Sequence, residues 1–336
     1  MHISLRRFIL CLIILASAVS SFGQVATGIY AHGTFDNKGV DTINVGNLNV
    51  NFSIPVAGKA GRGMNFRYNL LLNTSIWSPI AVNGSTVWQP SPTFGWSVDT
   101  NVVTGYASYV ISTEKCKDPN TLQLVPTPWY RLYTYTDPFG IQHRFKSTTD
   151  GCAVDSSGDT IFDFTELAAD GSGYTMQVSS STAIQMVTPS GRTFVPPVNQ
   201  TAGAGTVTDS NGNQISVDGI GRFTDTTGKI ALTVAPSGSS SRTFTYTDTN
   251  GNPQQVTLNY KTYTVQTKFG CTVGEYGPTS AALVDNITFP DGSAYHFSYE
   301  PTPGVSANVT GRLASVTLPQ GGQISYSYTG GSNGIV

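Results

Sequence analysis

Histidine is the side chain in this sequence best suited to proton transfer near neutral pH. Three histidines follow the first 23 residues, at His32, His143 and His296. His143 lies two residues before Phe145, and His296 precedes Phe297, in segments where polar and apolar residues alternate. Histidines placed this way in strands are more often surface or hydrogen-bonded residues than general bases. We therefore expect them to be structural.

Carboxylates are sparse, and no two of them are spaced in a pattern that predicts a catalytic pair. The 20 Asp and Glu residues nearly balance 18 Lys and Arg residues, giving a net charge of −2. This charge provides no basic surface for nucleic acid. We therefore predict a protein that is not an enzyme and uses no cofactor or metal. A secreted hydrolase is the less favoured alternative.

Cysteines offer a second kind of chemistry. Cys116 and Cys152 flank a predicted pair of strands, and Cys271 lies far from both. A disulfide is permitted in an exported protein, and we expect Cys116 and Cys152 to form it. Three separate thiols are the alternative. No spacing of Cys and His in the sequence resembles a zinc site.

All four tryptophans lie in the N-terminal half, at Trp77, Trp88, Trp96 and Trp129. Their rings either pack in a core or lie exposed, where an indole face can stack on a sugar. The second possibility makes Trp88 and Trp96 the candidate ligand-stacking residues and a cell-surface glycan the candidate partner.

The first 23 residues have the layout of a secretory signal peptide. Arg6 and Arg7 precede an apolar run over residues 8–19, and small and polar residues follow. This run is shorter than the roughly 20 residues that a membrane-spanning helix needs. We expect a protein that is secreted or held at the cell surface, and not an integral membrane protein.

The elements that carry these side chains are predicted to be β-strands, because apolar residues recur at every second position. The clearest example is Leu48, Val50, Phe52 and Ile54, followed after a Gly-rich loop by a similar run over residues 64–72. The sequence has 36 glycines and only 11% charged residues, as expected for strands joined by tight turns. The predicted fold is all-β, built from antiparallel hairpins.

Two units are predicted after the signal peptide. Residues 24–200 have varied turn spacing and predict an N-terminal β-sandwich-like domain. From residues 201–336 the turns become more regular, which predicts a stack of degenerate repeats. A small, polar stretch over residues 198–205 separates the two.

One 13-residue pattern occurs twice near the C-terminus, 29 residues apart. Residues 287–299 read ITFPDGSAYHFSY, and residues 316–328 read VTLPQGGQISYSY. Both contain a Pro-x-Gly turn followed by a strand with aromatic residues at alternate positions. We expect Phe297 to stack on Tyr326, and Tyr299 on Tyr328, as ladders between units.

These units resemble the YD-repeat, or RHS-repeat, family. The residues that carry the resemblance are Gly292, Tyr299, Gly311, Arg312, Gly321 and Tyr328. The N-terminal hairpin is more loosely similar to the region that precedes such repeats in exported bacterial members. The sequence departs from the family at Glu300 and Thr329, which stand where an Asp is usual.

The resemblance implies a structural role. In this family the repeats wind a long β-sheet into a shell that encloses a C-terminal toxin, or they form a surface binding or adhesion module. The resemblance therefore implies a non-catalytic scaffold, with a toxin or effector module as a partner that this chain lacks. A secreted carbohydrate-binding β-domain that uses exposed aromatic residues is the alternative.

The repeat hypothesis predicts that Tyr328→Ala destabilises the C-terminal unit, because the ring is expected to pack between repeats. Aromatic packing contributes about 0.5–1.5 kcal/mol beyond the area that it buries. Thermal unfolding followed by circular dichroism should show a lower melting temperature. An unchanged melt would contradict a packing role for this ring.

Overall fold

The fold is all-β and antiparallel, which confirms the predicted class. The computed structural model describes residues 35–37, 41–44, 49–102, 104–118, 121–138, 141–145, 152, 163–179, 183–200, 203–236, 238, 240–329 and 331–334. The predicted signal peptide lies outside the described residues. The helices described are two short 3₁₀ turns, Pro92–Gly95 and Gly331–Gly334.

An antiparallel five-stranded sheet, here called the N-terminal sheet, has the strand order β1-β2-β3-β4-β7. Its strands are β1 (Phe35–Asn37), β2 (Asp41–Asn44), β3 (Asn49–Lys59), β4 (Phe66–Asn73) and β7 (Trp96–Thr100). The β3–β4 hairpin is the one that the alternating pattern predicts. Buried and more exposed residues alternate along both strands because successive strand residues point to opposite faces, and the buried ones are apolar.

Two smaller sheets come from the chain between β4 and the repeats. One is a hairpin of β5 (Trp77–Val82) and β6 (Ser85–Pro90). The other is a three-stranded sheet in the order β10-β9-β8, formed by β8 (Tyr106–Lys117), β9 (Leu124–Thr136) and β10 (Gln142–Arg144).

The large sheet has fourteen strands that follow one another in chain order. They are β11 (Phe164–Leu167), β12 (Thr175–Val178), β13 (Ile184–Val187), β14 (Thr193–Val195), β15 (Gly205–Thr208), β16 (Gln214–Val217), β17 (Arg222–Thr224), β18 (Ile230–Val234), β19 (Ser241–Thr247), β20 (Pro253–Val265), β21 (Thr279–Thr288), β22 (Ala294–Thr302), β23 (Val305–Thr317) and β24 (Gln323–Ser325). Each consecutive pair is antiparallel, so this sheet is a meander, and β20 also pairs in parallel with β23 at Val265 and Val309.

The register of the large sheet aligns buried apolar residues across its strands. Met176 lies opposite Met186, Met186 opposite Phe194, and Phe194 opposite Val207, which in turn faces Ile215. All five side chains are buried. Residues directly opposite each other share a face of the sheet, so this register creates a continuous apolar surface.

The large sheet continues across the predicted domain boundary near residue 200. Strand β14 precedes this point and β15 follows it, and the two pair with Phe194 opposite Val207. Hydrogen bonding therefore joins the two predicted units into one sheet. The division into two folding units stays a prediction.

Seven turns of the large sheet have the same backbone hydrogen bonds. In each, the first residue donates its N–H to the carbonyl of the fifth, and a glycine at the fourth position donates to the carbonyl of the first. These turns begin at Thr188, Asp209, Asp218, Asp225, Asp248, Phe289 and Leu318. Each fourth-position glycine has a φ between +77° and +88°. The two copies found in the sequence are thus the last members of a longer series.

Six of these turns join an odd-numbered strand to the next even-numbered strand, so they form a row at the same end of the strands. Their glycines are Gly191, Gly212, Gly228, Gly251, Gly292 and Gly321, and a Cβ built on any of them would have nothing within 4 Å. Glycine is therefore needed at these positions because of the positive φ, and not because of limited space.

Aromatic contacts show that the three-stranded sheet and the N-terminal sheet cover the apolar face of the large sheet. Tyr133 lies 5.0 Å from Phe164 and Tyr135 lies 5.3 Å from Phe194, centroid to centroid, so the three-stranded sheet covers its beginning. Tyr68 of the N-terminal sheet lies 5.3 Å from Phe223. The sandwich-like domain predicted within residues 24–200 stays a prediction, and the N-terminal sheet packs on Phe223, which lies beyond residue 200.

The loop between β3 and β4 also contacts the row of turns. Lys59 Nζ lies 2.5 Å from Asp225 Oδ2, and the Arg62 N–H donates to Thr226 Oγ1 at 2.5 Å. Desolvation opposes ionisation of Asp225, but hydrogen bonds from Lys59, Thr227 and Lys229 outweigh it and lower the pKa to about 2. This carboxylate is therefore charged at neutral pH and ties the loop to the turn.

Gly63 lies in the same loop, and we predict that Gly63→Ala destabilises the protein more than Gly84→Ala does. Both residues have positive φ, of +73° and +80°, which alone costs about 1–2 kcal/mol for an alanine. A Cβ at Gly63 would also contact Asn213 Nδ2 and lie 2.6 Å from Asp209 Oδ2, whereas Gly84 has open space.

Chemical denaturation of both variants would measure the difference. We expect Gly63→Ala to lose at least about 1 kcal/mol more than Gly84→Ala, since overpacking adds to the backbone strain. Equal losses would contradict the close approach of this loop to the turn that begins at Asp209.

Candidate functional site

One cleft of the described part lies between the N-terminal sheet and the large sheet. It has a volume of about 330 Å³. Strands β4 and β7 and the first 3₁₀ turn form one wall, and strands β19, β20 and β21 form the other. The residues lining it are Leu70, Thr93, Phe94, Trp96, Ser97, Val98, Gly238, Arg242, Phe244, Leu258, Tyr260, Ala282, Leu283 and Val284.

Local backbone features shape both walls. On one side, Thr93 and Phe94 have φ of 55° and 50°, and Gly95 follows with φ +83°, which turns the chain sharply before β7. A Cβ at Gly95 would collide with the carbonyl oxygen of Asn73. On the other side, the pairing of β20 with β21 shifts register at Tyr260. This bulge bends the wall at the cleft.

Arg242 is the charged residue of the cleft. Its side chain is partly buried, its Nε donates to the Ala235 carbonyl at 3.3 Å, and its guanidinium carbon lies 6.0 Å from the centre of the Phe244 ring. Among the described residues no carboxylate lies within 4 Å of it. Burial raises the pKa of Tyr68 to about 12, although the nearby Arg242 charge acts to lower it.

The two tryptophans predicted to stack on ligands have different environments. Trp88 is only 5% exposed and packs edge-on against Phe269 at 5.7 Å, so it offers no open face to a sugar. This corrects the prediction for Trp88, whose ring belongs to a small second core with Trp77. Trp96 is partly buried, lines the cleft and packs edge-on against Phe297 at 5.2 Å.

The repeat residue Arg312 is buried, at 4% exposure, and paired with a carboxylate. Its Nε and Nη2 each donate to Glu300 at 2.8 Å, which makes a bidentate pair. Thr310 Oγ1 donates to the same carboxylate at 2.6 Å. The guanidinium also lies between two rings, 4.6 Å from Phe269 and 3.9 Å from Tyr328. This arrangement is structural, because its hydrogen bonds are satisfied internally.

The predicted stacking of Phe297 on Tyr326 and of Tyr299 on Tyr328 is wrong, because these rings have other partners. Phe297 contacts Trp96, and Tyr326 contacts Phe52 at 6.2 Å, so both rings face the N-terminal sheet. The packing of the two sheets places the N-terminal sheet closer to these rings than the next repeat is.

The other two repeat tyrosines also find partners outside the predicted ladder. Tyr299 contacts Tyr263 at 5.3 Å and donates its hydroxyl to the Val284 carbonyl at 2.6 Å. Tyr328 lies on Arg312. Burial raises the pKa of both, to about 12 for Tyr328.

The repeat glycines occupy positions that require positive φ. Gly292 and Gly321 are fourth residues of the recurring turn, at +84° and +88°. Gly311 has φ +79°, and a Cβ there would lie 3.2 Å from the Phe94 ring and 3.3 Å from Ile76. Gly311 therefore lets β23 pass close to the 3₁₀ turn that forms one wall of the cleft.

Cys116 and Cys152 are joined by a disulfide with an S–S distance of 2.00 Å, and Cys271 is a free thiol. The disulfide ties strand β8 to the segment that follows β10. The hairpin of β8 and β9 carries several exposed apolar residues, including Ile111 and Leu124 at 55% and 65% exposure.

His143 is buried and its ring contacts a carboxylate. Its Nδ1 lies 2.6 Å from Asp170 Oδ2, and its ring stacks on Tyr135. Desolvation opposes ionisation of Asp170, but hydrogen bonds from Ser172 and His143 lower its pKa to about 2. The expectation of a structural histidine stays a prediction, and His143 is not among the residues that line the cleft.

The described residues contain no group of three or more His, Cys, Asp or Glu side chains that could hold a metal ion. No helix within the described ranges is long and apolar enough to cross a membrane. No described protein family matches the chain, and no curated protein is significantly similar to it.

Sequence reasoning missed Arg242 as a site residue. It follows three serines in the run SSSRTFTYT, where alternation predicts an ordinary strand. The signal that could have drawn attention to it is an arginine two residues before a buried phenylalanine, with no acid within five residues on either side.

We predict that Glu300→Ala strongly destabilises the protein, because it leaves the Arg312 charge buried without a partner. Such a loss typically amounts to about 3–5 kcal/mol. Asp99→Ala is the matched control, since the Arg67–Asp99 pair is exposed and should cost at most about 1 kcal/mol. Urea denaturation of both variants would test this. Similar losses for the two would show that the buried pair has no special weight.

Proposed function

We propose that this chain is an exported structural protein of the YD-repeat type, acting as a shell segment or as a cell-surface scaffold or binding module without catalysis. The observation that carries the proposal is the fourteen-stranded meander, in which the same glycine turn recurs seven times among the described residues. A repeated turn with constant geometry generates an extended surface, which suits a scaffold.

The roles of the family-matching residues support the same proposal. Arg312 and Tyr328 stabilise the last hairpins, and Gly292 and Gly321 form their turns. None of these four residues lines the cleft between the two sheets. Enclosure of a toxin and secretion to the cell surface remain parts of the proposal that rest on the resemblance and on the N-terminal segment.

The carbohydrate-binding alternative receives little support. It depends on exposed indole faces, and Trp88 is buried in a core with Phe269. Trp96 is partly buried and makes a T-shaped contact with Phe297.

Export is tested by expressing the full chain and a variant lacking residues 2–23 in a bacterial host, and by labelling intact cells with a reagent that does not cross membranes. We expect labelled or secreted protein from the full chain and cytoplasmic protein from the shortened variant. Equal cytoplasmic retention of both would overturn the export part of the proposal.

A glycan array probed with the exported protein separates the scaffold from the carbohydrate-binding alternative. The scaffold role predicts no specific glycan retention. Retention that is lost in Trp96→Ala, with an unchanged melting temperature, would favour the alternative and contradict the scaffold role.

A further inference from the structure

The cleft between the two sheets contains a cation with unused hydrogen-bond donors. Arg242 uses Nε to bind the Ala235 carbonyl, whereas Nη1 and Nη2 donate to no residue in the part of the chain that the structure describes. Arg67, Arg222 and Arg312 pair with carboxylates, and among the described arginines that do not, Arg242 is the one that lines this cleft. A partly buried guanidinium without a counter-ion favours an anion as its partner.

The rest of the cleft is mainly apolar. Aliphatic side chains come from Leu70, Leu258 and Leu283, and aromatic rings come from Phe94 and Phe244. Its volume of about 330 Å³ lies at the lower end of the range for small-molecule sites. Apolar walls favour a ligand whose main part is apolar, and the single charged residue favours a ligand with a head group of opposite charge.

The hydroxyl of Tyr260 provides a second polar group at this cleft. Tyr260 lines the same cleft as Arg242, and its hydroxyl makes no hydrogen bond to another described residue. A tyrosine hydroxyl donates readily to an anionic oxygen. An anionic head group would therefore find donors from both Arg242 and Tyr260, and its apolar body would replace water along the walls.

We propose that this cleft binds a small amphiphile that has one anionic head group and an apolar body, with Arg242 holding the head group. Carboxylate, sulfate and phosphate heads share this chemistry. The site goes beyond the scaffold role and does not depend on it, so loss of one proposal leaves the other standing.

The central experiment measures the binding of decanoate and decan-1-ol to the exported protein by calorimetry, below the concentrations at which they aggregate. The two probes share a chain and differ in head-group charge. We expect decanoate to bind about 10- to 100-fold more tightly, as a charge-assisted hydrogen bond in a partly buried site would provide. Equal affinities, or no binding of decanoate, would overturn the proposal.

Arg242→Gln tests the residue. It should remove the preference for decanoate over decan-1-ol and leave the affinity for decan-1-ol unchanged, because only the charge recognition is lost. Arg222→Gln is the matched control, since Arg222 is an exposed turn residue paired with Asp218. Loss of the preference in Arg222→Gln as well, or its retention in Arg242→Gln, would contradict the role of Arg242.

Ala282→Phe tests the location. Ala282 is an exposed small residue that lines the cleft, so a phenyl ring there should obstruct it and weaken both probes with little change in the melting temperature. Unchanged affinity for both probes would place the binding elsewhere and overturn the proposal.

Decyl sulfate and decyl phosphate distinguish the head groups. Binding of all three anions, each lost in Arg242→Gln, would support recognition of charge. Tighter binding of a decyltrimethylammonium cation than of any anion would overturn it.

Discussion

The large sheet has an apolar face along much of its length, and the need to keep water from that face determines how the rest of the chain is arranged. The row from Met176 to Ile215 is buried through direct cross-strand neighbours. A meander cannot cover its own face without closing on itself. The N-terminal sheet and the three-stranded sheet provide that cover, which explains why Tyr68 and Tyr135 have ring contacts with strands far away in sequence.

A buried charge at the end of the sheet follows from the same arrangement. Arg312 of β23 is buried, so its charge needs a carboxylate partner, and Glu300 of β22 provides it. By contrast, Arg242 lines the cleft between two sheets, and no described acid pairs with it there.

Much of the fold could be predicted from the sequence, because strand alternation and turn chemistry are local. The β3–β4 hairpin follows from the period of two, and the turn at Gly292 follows from Pro-Asp-Gly. The partners of individual rings could not be predicted. Phe297 contacts Trp96 because two sheets pack face to face, and this contact joins residues 201 positions apart. Spacing within one repeat contains no information about such a contact.

The cleft was beyond the reach of sequence analysis for a related reason. Its walls come from β4, β7 and β19 to β21, and they include a bulge at Tyr260 and a tight turn before Trp96. Burial of Trp88 likewise depends on Phe269, which lies in a loop after β20. These features depend on how elements meet and not on what each element is.

The row of glycine turns lies at one end of the strands, where loop length and sequence can change without changing the interior of the sheet. Successive turns in this row are two strands apart, so they recur about every 9.6 Å. The open space beside Gly191, Gly212, Gly228, Gly251, Gly292 and Gly321 means that a longer loop at any one of them would project outward. The sheet can therefore gain or exchange surface loops at regular intervals while its hydrogen bonds and its apolar face stay the same.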